Sequence, residues 1–158
     1  MEIDIDTHIM PDKMPNWAKK FGYGEFVHLE QRNCKACMMK GDKVFREVED
    51  NCFDVSLRQK EMDETGVTMQ VLSTIPVLFN YWAKPKDGLE TSRYLNDHIA
   101  NSVIKFPERF MGIGTVPLQD VDMAIAEMER CVAALKMPGL EIGSNINGAN
   151  LSDEKFFP

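Results

Sequence analysis

Two side chains that could bind a metal, Asp6 and His8, lie two positions apart near the start of the chain. Residues 2–8 alternate apolar and polar types, which is the period of a β-strand, so Asp4, Asp6 and His8 should share one face. A carboxylate and an imidazole at that spacing can bind a divalent cation. The same pair could instead form a hydrogen bond at a strand end, and spacing alone leaves both interpretations open.

Two basic side chains in the segment that follows are candidates for binding an anionic substrate. Arg46 presents a planar guanidinium that matches a carboxylate, and Lys40 is a weaker candidate for the same role. Arg46 could equally form a surface ion pair with Glu47 or Glu49. The residue types therefore suggest a carboxylate-binding segment without establishing one.

Four cysteines include a Cys34-x-x-Cys37 motif. A structural zinc site would need a second, regularly spaced pair, which Cys52 and Cys131 do not supply. A redox motif is expected at a strand–helix junction and not in a long loop. We interpret Cys34 and Cys37 as two loop thiols. The acidic N-terminus lacks a signal-peptide pattern, so we expect a cytosolic protein with reduced cysteines.

Composition excludes several classes of partner. The 158 residues include 25 acidic and 18 basic side chains, for a net charge of −7, and 44% are hydrophobic. This balance is typical of a globular domain, and it lacks the clustered Lys and Arg that nucleic-acid binding needs. No apolar run approaches the ~20 residues of a membrane span. We expect neither nucleic acid nor membrane as a partner.

Strand and helix patterns alternate along most of the chain, which predicts parallel strands joined by right-handed crossovers. The predicted elements are a strand at 2–8, a helix at 54–66, a strand at 67–73, a helix at 89–106, a strand at 110–116, a helix from Asp120 to the Pro138-Gly139 break and a strand at 140–143. Residues 9–53 form a long irregular segment, rich in aromatic residues, that should carry small elements of its own. A second aromatic loop, 76–82, could line a pocket or cover the rim of the sheet.

Two architectures fit this order: an open doubly wound sheet, or half of a (β/α)₈ barrel. The glycine-rich turn that usually follows the first strand of the open sheet is missing, which favours the barrel. A complete barrel needs ~250 residues, whereas this sequence of 158 residues ends where a fourth helix, capped by Ser152, would begin. We predict an α/β fold that is the N-terminal half of a (β/α)₈ TIM-like barrel. It would have strands 1–4, three crossover helices and a long loop after strand 1, and residues 1–158 would form a single incomplete domain, a fragment.

Several segments also match a known family. They include Ile3-Asp4-Ile5, Phe21-Gly22-Tyr23-Gly24, Lys43-Val44-Phe45-Arg46, Leu72-Ser73-Thr74, Tyr81-Trp82-Ala83-Lys84-Pro85 and Glu127-Met128-Glu129-Arg130-Cys131. With these matches running from end to end, the chain resembles the N-terminal half of the aminocarboxymuconate semialdehyde decarboxylases of the amidohydrolase superfamily.

The resemblance implies a barrel enzyme with one catalytic Zn²⁺, acting as a homodimer. It implies non-oxidative decarboxylation of 2-amino-3-carboxymuconate-6-semialdehyde, in tryptophan catabolism through kynurenine. His8 falls on the second histidine of the family's first-strand His-x-His metal motif and Asp6 on the first, while Arg46 falls on an arginine that binds a substrate carboxylate. The other ligands and the catalytic histidine come later in the family's sequence, so no catalytic residue is assigned within 1–158.

Asp6 departs from the family pattern, which has histidine there. Aspartate is a harder ligand than imidazole, so it moves the metal preference toward Mn²⁺ or Mg²⁺. Other decarboxylases of the superfamily resemble this chain in having an acidic residue at that place. Three hypotheses remain: the muconate semialdehyde decarboxylase, a related hydrolase or aromatic-acid decarboxylase, and a truncated product without catalysis.

Overall fold

The computed structural model describes residues 1–32 and 35–157, which form a mixed α/β fold. In chain order, the strands and helices are β1 (Ile3–Ile9), α1 (Trp17–Phe21), β2 (Val27–Arg32), β3 (Lys35–Lys40), β4 (Lys43–Val48), α2 (Val55–Thr65), β5 (Met69–Thr74), α3 (Pro85–Lys105), β6 (Phe110–Gly112), α4 (Val121–Ala133), β7 (Asn145–Ile146) and β8 (Ala149–Asn150). Short 3₁₀ turns occupy Asp50–Cys52, Pro76–Leu78 and Glu154–Phe156.

A parallel sheet in the order β1-β5-β6 forms the centre of the fold. A fourth segment joins it through one parallel bridge between Gly114 and Leu140, where a regular strand was predicted at 140–143. Helices α2, α3 and α4 bury their apolar side chains with one face of the sheet, and this core includes Ile9, Met62, Leu72, Ile99 and Phe110. The parallel α/β class predicted from the sequence is confirmed.

Capping residues explain where the crossover helices begin and end. The Asp54 side chain accepts hydrogen bonds from two backbone N–H groups of α2, and Gly66 ends that helix with a φ of 79°. At the start of α4, the Asp120 side chain accepts one hydrogen bond, from the Met123 N–H. Helix α3 begins at Pro85, earlier than the predicted residue 89, because proline is well suited to the first helical position.

The long segment after β1 contains the short helix α1 and an antiparallel sheet of β2, β3 and β4. Sequence analysis predicted small elements there but no sheet. Residues 36–39 of β3 are all buried, so this strand lacks the alternation of a half-exposed strand. The two-residue Gly41-Asp42 turn between paired Lys40 and Lys43 was the available hairpin signal.

Strand β1 does not alternate regularly, so the prediction that Asp4, Asp6 and His8 share one face is wrong for Asp4. Asp4 pairs with Gln70 whereas Thr7 pairs with Leu72, which gives β1 one extra residue. The Asp4 carboxylate accepts a hydrogen bond from the Gln70 side chain, whereas Asp6 accepts one from the Ser73 hydroxyl, each at 3.2 Å. The bulge therefore separates Asp4 from Asp6 and His8.

The last residues contain a hairpin, β7-β8, and then the 3₁₀ turn capped by Asp153, where the sequence predicted the start of a helix near Ser152. Among the residues that the structure describes, no helix combines the length and apolar character needed to cross a bilayer.

Candidate functional site

Asp6 and His8 meet at the carboxyl end of β1, as the sequence predicted. His8 pairs with Ser73 of β5, and its Nε2 lies 3.5 Å from Asp6 Oδ1. Asp6 has a φ of 69°, in the left-handed region that aspartate tolerates better than most residues. The bulge and this backbone conformation turn the carboxylate toward the imidazole, which regular alternation alone would not explain.

Glu141, which the sequence analysis missed, completes a three-residue cluster. Its Oε1 lies 3.4 Å from His8 Nε2, and the potential ligand atoms of Asp6, His8 and Glu141 all lie within 4.8 Å of one another. The Glu141 backbone N–H donates to the Gly114 carbonyl at 2.8 Å, which fixes the residue beside the sheet. The available signal was its place within the short fourth predicted strand, 140–143, since carboxyl ends of parallel strands share one edge.

Close packing at Gly114 holds the Glu141 segment in register. A Cβ atom at Gly114 would lie 2.8 Å from Cys131 Sγ and 3.2 Å from both Asn96 Oδ1 and a Leu140 methyl carbon. Only glycine allows this approach without displacing its neighbours. The position of Glu141 therefore depends on contacts between α3, α4 and the sheet.

Burial dominates the electrostatics of Glu141. Loss of water raises the pKa of its carboxyl group, and the nearby Ser73 hydroxyl and His8 imidazole offset only part of that increase. The Asp6 carboxylate adds to the increase. A cation placed among these groups would favour the ionised form of Glu141.

The Asp6–His8 pair fits a divalent cation. Its 3.5 Å separation is longer than the ~2.7–3.2 Å of an N–H···O hydrogen bond. It agrees with the ~3.0–3.5 Å between two donor atoms that are each ~2.1 Å from one cation. One imidazole nitrogen and one carboxylate oxygen also form a donor set that suits Zn²⁺ or Mn²⁺.

A cavity of about 680 Å³ adjoins the cluster, and Glu141 belongs to both. Lys40 also lines the cavity, and its Nζ lies 3.6 Å from Glu25 Oε2. Phe79 and Tyr81 stack with ring centroids 5.4 Å apart, and they line the cavity together with Trp82. The cavity thus combines a cation, a carboxylate and aromatic faces, which suits a small unsaturated or aromatic acid.

Arg46, the other predicted substrate ligand, is exposed on β4, opposite Met38 of β3. It is not among the described residues that line the cavity. The structure therefore brings Lys40 to the cavity and leaves Arg46 on the sheet beside it.

Arg58 of α2 is a buried cation that the sequence analysis did not single out. Its Nη2 donates to the carbonyl oxygens of His8 at 2.8 Å and Asn51 at 2.7 Å. Burial lowers the pKa of its guanidinium, against smaller opposing effects of nearby acidic groups. Arg58 thereby joins the end of β1 to the end of the long inserted segment.

Cys34 lies outside the described residues, whereas Cys37 is buried on β3, so the prediction of a loop thiol is wrong for Cys37. Burial raises the pKa of the Cys131 thiol to about 12. A thiol with that pKa is protonated at neutral pH and is a poor nucleophile. Two further histidines lie elsewhere: His28 is buried on β2, with its Nε2 3.0 Å from Glu30 Oε1, and His98 lies mid-helix in α3.

Relatives of this chain include decarboxylases. The 2-amino-3-carboxymuconate-6-semialdehyde decarboxylase of Dictyostelium discoideum is 48% identical over 159 residues, which cover 100% of this chain and 44% of that protein. The enzyme of the same name from Caenorhabditis elegans is 35% identical over 178 residues, with 99% and 44% covered. The chain thus spans less than half the length of these relatives.

A solved structure gives a consistent result. The 5-carboxyvanillate decarboxylase of Novosphingobium aromaticivorans, complexed with manganese and 4-hydroxy-3-methoxy-5-nitrobenzoic acid, matches with a TM-score of 0.64 and 28% identity. The match covers 68% of this chain and 31% of that chain. A family model described as Amidohydrolase matches residues 3–158. The chain belongs to the amidohydrolase family.

Proposed function

We propose that the protein is a metal-dependent carboxy-lyase that decarboxylates 2-amino-3-carboxymuconate-6-semialdehyde in tryptophan catabolism. The observation that carries the proposal is the convergence of Asp6 and His8 at the carboxyl end of the parallel sheet, beside a cavity lined by Lys40. This is the edge at which parallel α/β enzymes place their active sites. Similarity to two decarboxylases over at least 99% of the chain supports the reaction class.

Residues 1–158 would form the first half of a (β/α)₈ barrel and one incomplete domain. Among the described strands, β1 pairs only with β5, and Ile3 and Ile5 on β1 are 43% and 71% exposed. In a closed barrel a further strand would pair with β1, and the opposite wall would cover these side chains. A homodimer in the cytosol follows from the same family resemblance.

Asp6 and His8 would hold one divalent cation. Zinc is the metal that the resemblance implies, and the carboxylate of Asp6 favours Mn²⁺ or Mg²⁺. When bound, the cation supplies positive charge that stabilises the negative charge left on the substrate as CO₂ departs. The other ligands and the catalytic histidine would come from sequence outside residues 1–158.

The remaining side chains of the cavity would bind and orient the acid. The Lys40 ammonium would attract a substrate carboxylate, and the rings of Phe79, Tyr81 and Trp82 would pack on the unsaturated carbon chain and exclude water. Arg46 lies outside the described lining of the cavity, on β4, and from there it would hold a second carboxylate by paired hydrogen bonds. A substrate fixed in this way loses CO₂ with a smaller entropic cost than a free one.

The test is metal-dependent turnover by the protein expressed with any sequence that follows residue 158 in its gene. Chelation should abolish release of CO₂ from the muconate semialdehyde, and Mn²⁺ or Zn²⁺ should restore it. His8→Ala should remove this response, whereas Asp4→Asn, on the same strand but in a different cavity, should retain it. Full activity after chelation, or in His8→Ala, would contradict the proposal.

Arg46→Ala should lower kcat/KM about 10–100-fold, because a charge-assisted Arg–carboxylate contact contributes about 1.5–3 kcal/mol. Lys43→Ala is the matched control, since Lys43 is an exposed cation on the same strand. Steady-state kinetics on both variants provide the measurement. Unchanged kinetics in Arg46→Ala would show that Arg46 is a surface residue without contact to the substrate.

Decarboxylation of an aromatic acid is the second candidate, because the cavity wall is aromatic and the first metal ligand is acidic. The test compares kcat/KM for 5-carboxyvanillate with that for the muconate semialdehyde. A higher value for the aromatic acid would favour this candidate. Absence of turnover with either acid, in protein that has bound its metal, would favour a non-catalytic product.

A further inference from the structure

Glu141 faces the same imidazole nitrogen as Asp6. His8 Nε2 lies 3.4 Å from Glu141 Oε1 and 3.5 Å from Asp6 Oδ1. One N–H cannot point at both oxygens with good geometry, and each distance is longer than an ordinary hydrogen bond of ~2.7–3.2 Å. Both distances agree with the ~3.0–3.5 Å that separates ligand atoms around a common cation.

The charge around Glu141 is also unbalanced. Within residues 1–32 and 35–157, neither Glu141 nor Asp6 forms an ion pair with lysine or arginine, so only His8 opposes the two carboxylates. Glu141 Oε2 is buried and makes no hydrogen bond to a described residue. Buried carboxylates normally have a cationic or metal partner.

We infer that Glu141 is a metal ligand in its own right, which joins Asp6 and His8 so that this chain supplies three donor atoms to the proposed metal. The inference rests on the proposed metal-dependent function and adds a ligand to it. The three donor atoms lie within 4.8 Å of one another. Two come from β1, and the third comes from the segment that pairs with Gly114 through Leu140.

A second carboxylate changes which metal the site prefers. Two oxygen donors and one nitrogen make the contribution of this chain harder than two imidazoles would, and harder donors favour Mn²⁺ and Mg²⁺ relative to Zn²⁺. Two carboxylates also neutralise a divalent cation, which lowers the cost of keeping it beside a partly buried wall. Glu141 would therefore increase affinity for Mn²⁺ and decrease the preference for Zn²⁺.

The experiment measures metal binding without reference to catalysis. Wild type, Glu141→Gln and Asp4→Asn are expressed with any sequence that follows residue 158. Mn²⁺ affinity is obtained from electron paramagnetic resonance, and the coordination of Co²⁺ from its visible absorption spectrum. Glutamine keeps the size of the side chain, and circular dichroism checks that each variant is folded. Glu141→Asp, which keeps the charge on a shorter side chain, is measured in parallel.

A ligand role predicts that Glu141→Gln weakens Mn²⁺ binding by more than about 100-fold, since loss of a residue that only supports a ligand costs about 10–100-fold. It also predicts an altered Co²⁺ spectrum, smaller losses in Glu141→Asp and no change in Asp4→Asn. A Co²⁺ spectrum identical to that of wild type in Glu141→Gln would overturn the inference, whatever the loss of affinity. Failure of wild type itself to bind Mn²⁺, Co²⁺ or Zn²⁺ would instead overturn the proposed metal-dependent function.

Discussion

Two glutamates, the buried Glu127 and the partly buried Glu141, have different surroundings. Glu127 of α4 is 0% exposed and accepts hydrogen bonds from Arg93 at 3.0 Å, from Arg130 at 2.7 and 2.9 Å and from Asn96 at 2.8 Å. Glu141 has only His8, at 3.4 Å, within ion-pair distance among the described residues. The chain thus neutralises one carboxylate completely and leaves the other incompletely paired.

This difference separates a structural carboxylate from a candidate ligand. The Asn96 side chain that donates to Glu127 also exchanges hydrogen bonds of 2.8 Å with both backbone groups of Thr115, so Glu127 connects α3, α4 and the segment after β6. Glu141 has no comparable network among the residues that the structure describes, and it borders an open cavity. A carboxylate that folding leaves incompletely paired at the carboxyl edge of a parallel sheet is available to bind a cation.

The largest expected effect is on stability, from Glu127→Ala. Removal of this carboxylate leaves Arg93 without its ion-pair partner and Arg130 with Asp97 alone, and the Asn96 amide loses one of its two acceptors. The expected loss is about 3–5 kcal/mol of unfolding free energy. Urea denaturation provides the measurement, with Glu129→Gln, an exposed carboxylate on the same helix, as the control. A loss of unfolding free energy no greater than that of Glu129→Gln would contradict the structural role of Glu127 on which its comparison with Glu141 depends.

Arg58→Met should have the next largest effect, because it leaves the carbonyl oxygens of His8 and Asn51 without their donor. We expect a loss of about 1–3 kcal/mol in unfolding free energy, together with weaker Mn²⁺ binding, since the end of β1 loses its support. Lys60→Met, an exposed cation on the same helix, serves as the control. Normal metal affinity in a destabilised Arg58→Met would restrict Arg58 to a structural role.

The unfolding free energy should depend on pH in the acid range because of the hydrogen bonds that Glu127 accepts. Burial by itself raises the pKa of Glu127, but hydrogen bonds from Arg130, Asn96 and Arg93 outweigh it and hold the pKa below the ordinary value of 4.5. Because the folded-state pKa is lowered, the stabilisation is complete above that ordinary value and disappears as the pH falls through the lower, folded-state pKa. Unfolding free energy measured against pH should lose this acid-dependent part in Glu127→Gln, and an identical slope in wild type and variant would contradict the assignment.

The smallest effect is expected from Glu141→Gln in metal-free protein. Because Glu141 has no arginine or lysine partner among the described residues, its neutral isostere should change the unfolding free energy by less than about 1 kcal/mol. The measurement is the same urea titration, carried out with chelator present. A loss as large as that of Glu127→Ala would mean that Glu141 is a structural residue.

Sequence could predict the parts of the site whose geometry is local. The spacing of Asp6 and His8 on one strand predicted that the two side chains lie together, whereas their role as metal ligands stays a prediction. The bounds of α2 were predicted correctly because Asp54 and Gly66 are strong capping signals. Glu141 was missed because it lies 133 residues from His8 and approaches it only through the single bridge at Gly114 and Leu140. Long-range register of this kind leaves little trace in local periodicity.

Two other features were missed for different physical reasons. The bulge in β1 depends on a positive φ at Asp6, which a regular alternation of residue types conceals. Arg58 has the appearance of a surface residue on a polar helix, and its burial results from packing against the inserted segment. Both features lie at the end of β1, where the proposed function requires that the Asp6 and His8 side chains be precisely placed.

Anomalous scattering from crystals grown with Mn²⁺ tests the central claim most directly, since it locates the metal without any assumption about activity. The protein should be expressed with any sequence that follows residue 158. We predict one strong manganese peak about 2.0–2.3 Å from an Asp6 carboxylate oxygen and from His8 Nε2, and its loss in His8→Ala. A peak elsewhere, or no peak in crystals grown at saturating Mn²⁺, would contradict the assignment of Asp6 and His8 as the metal site.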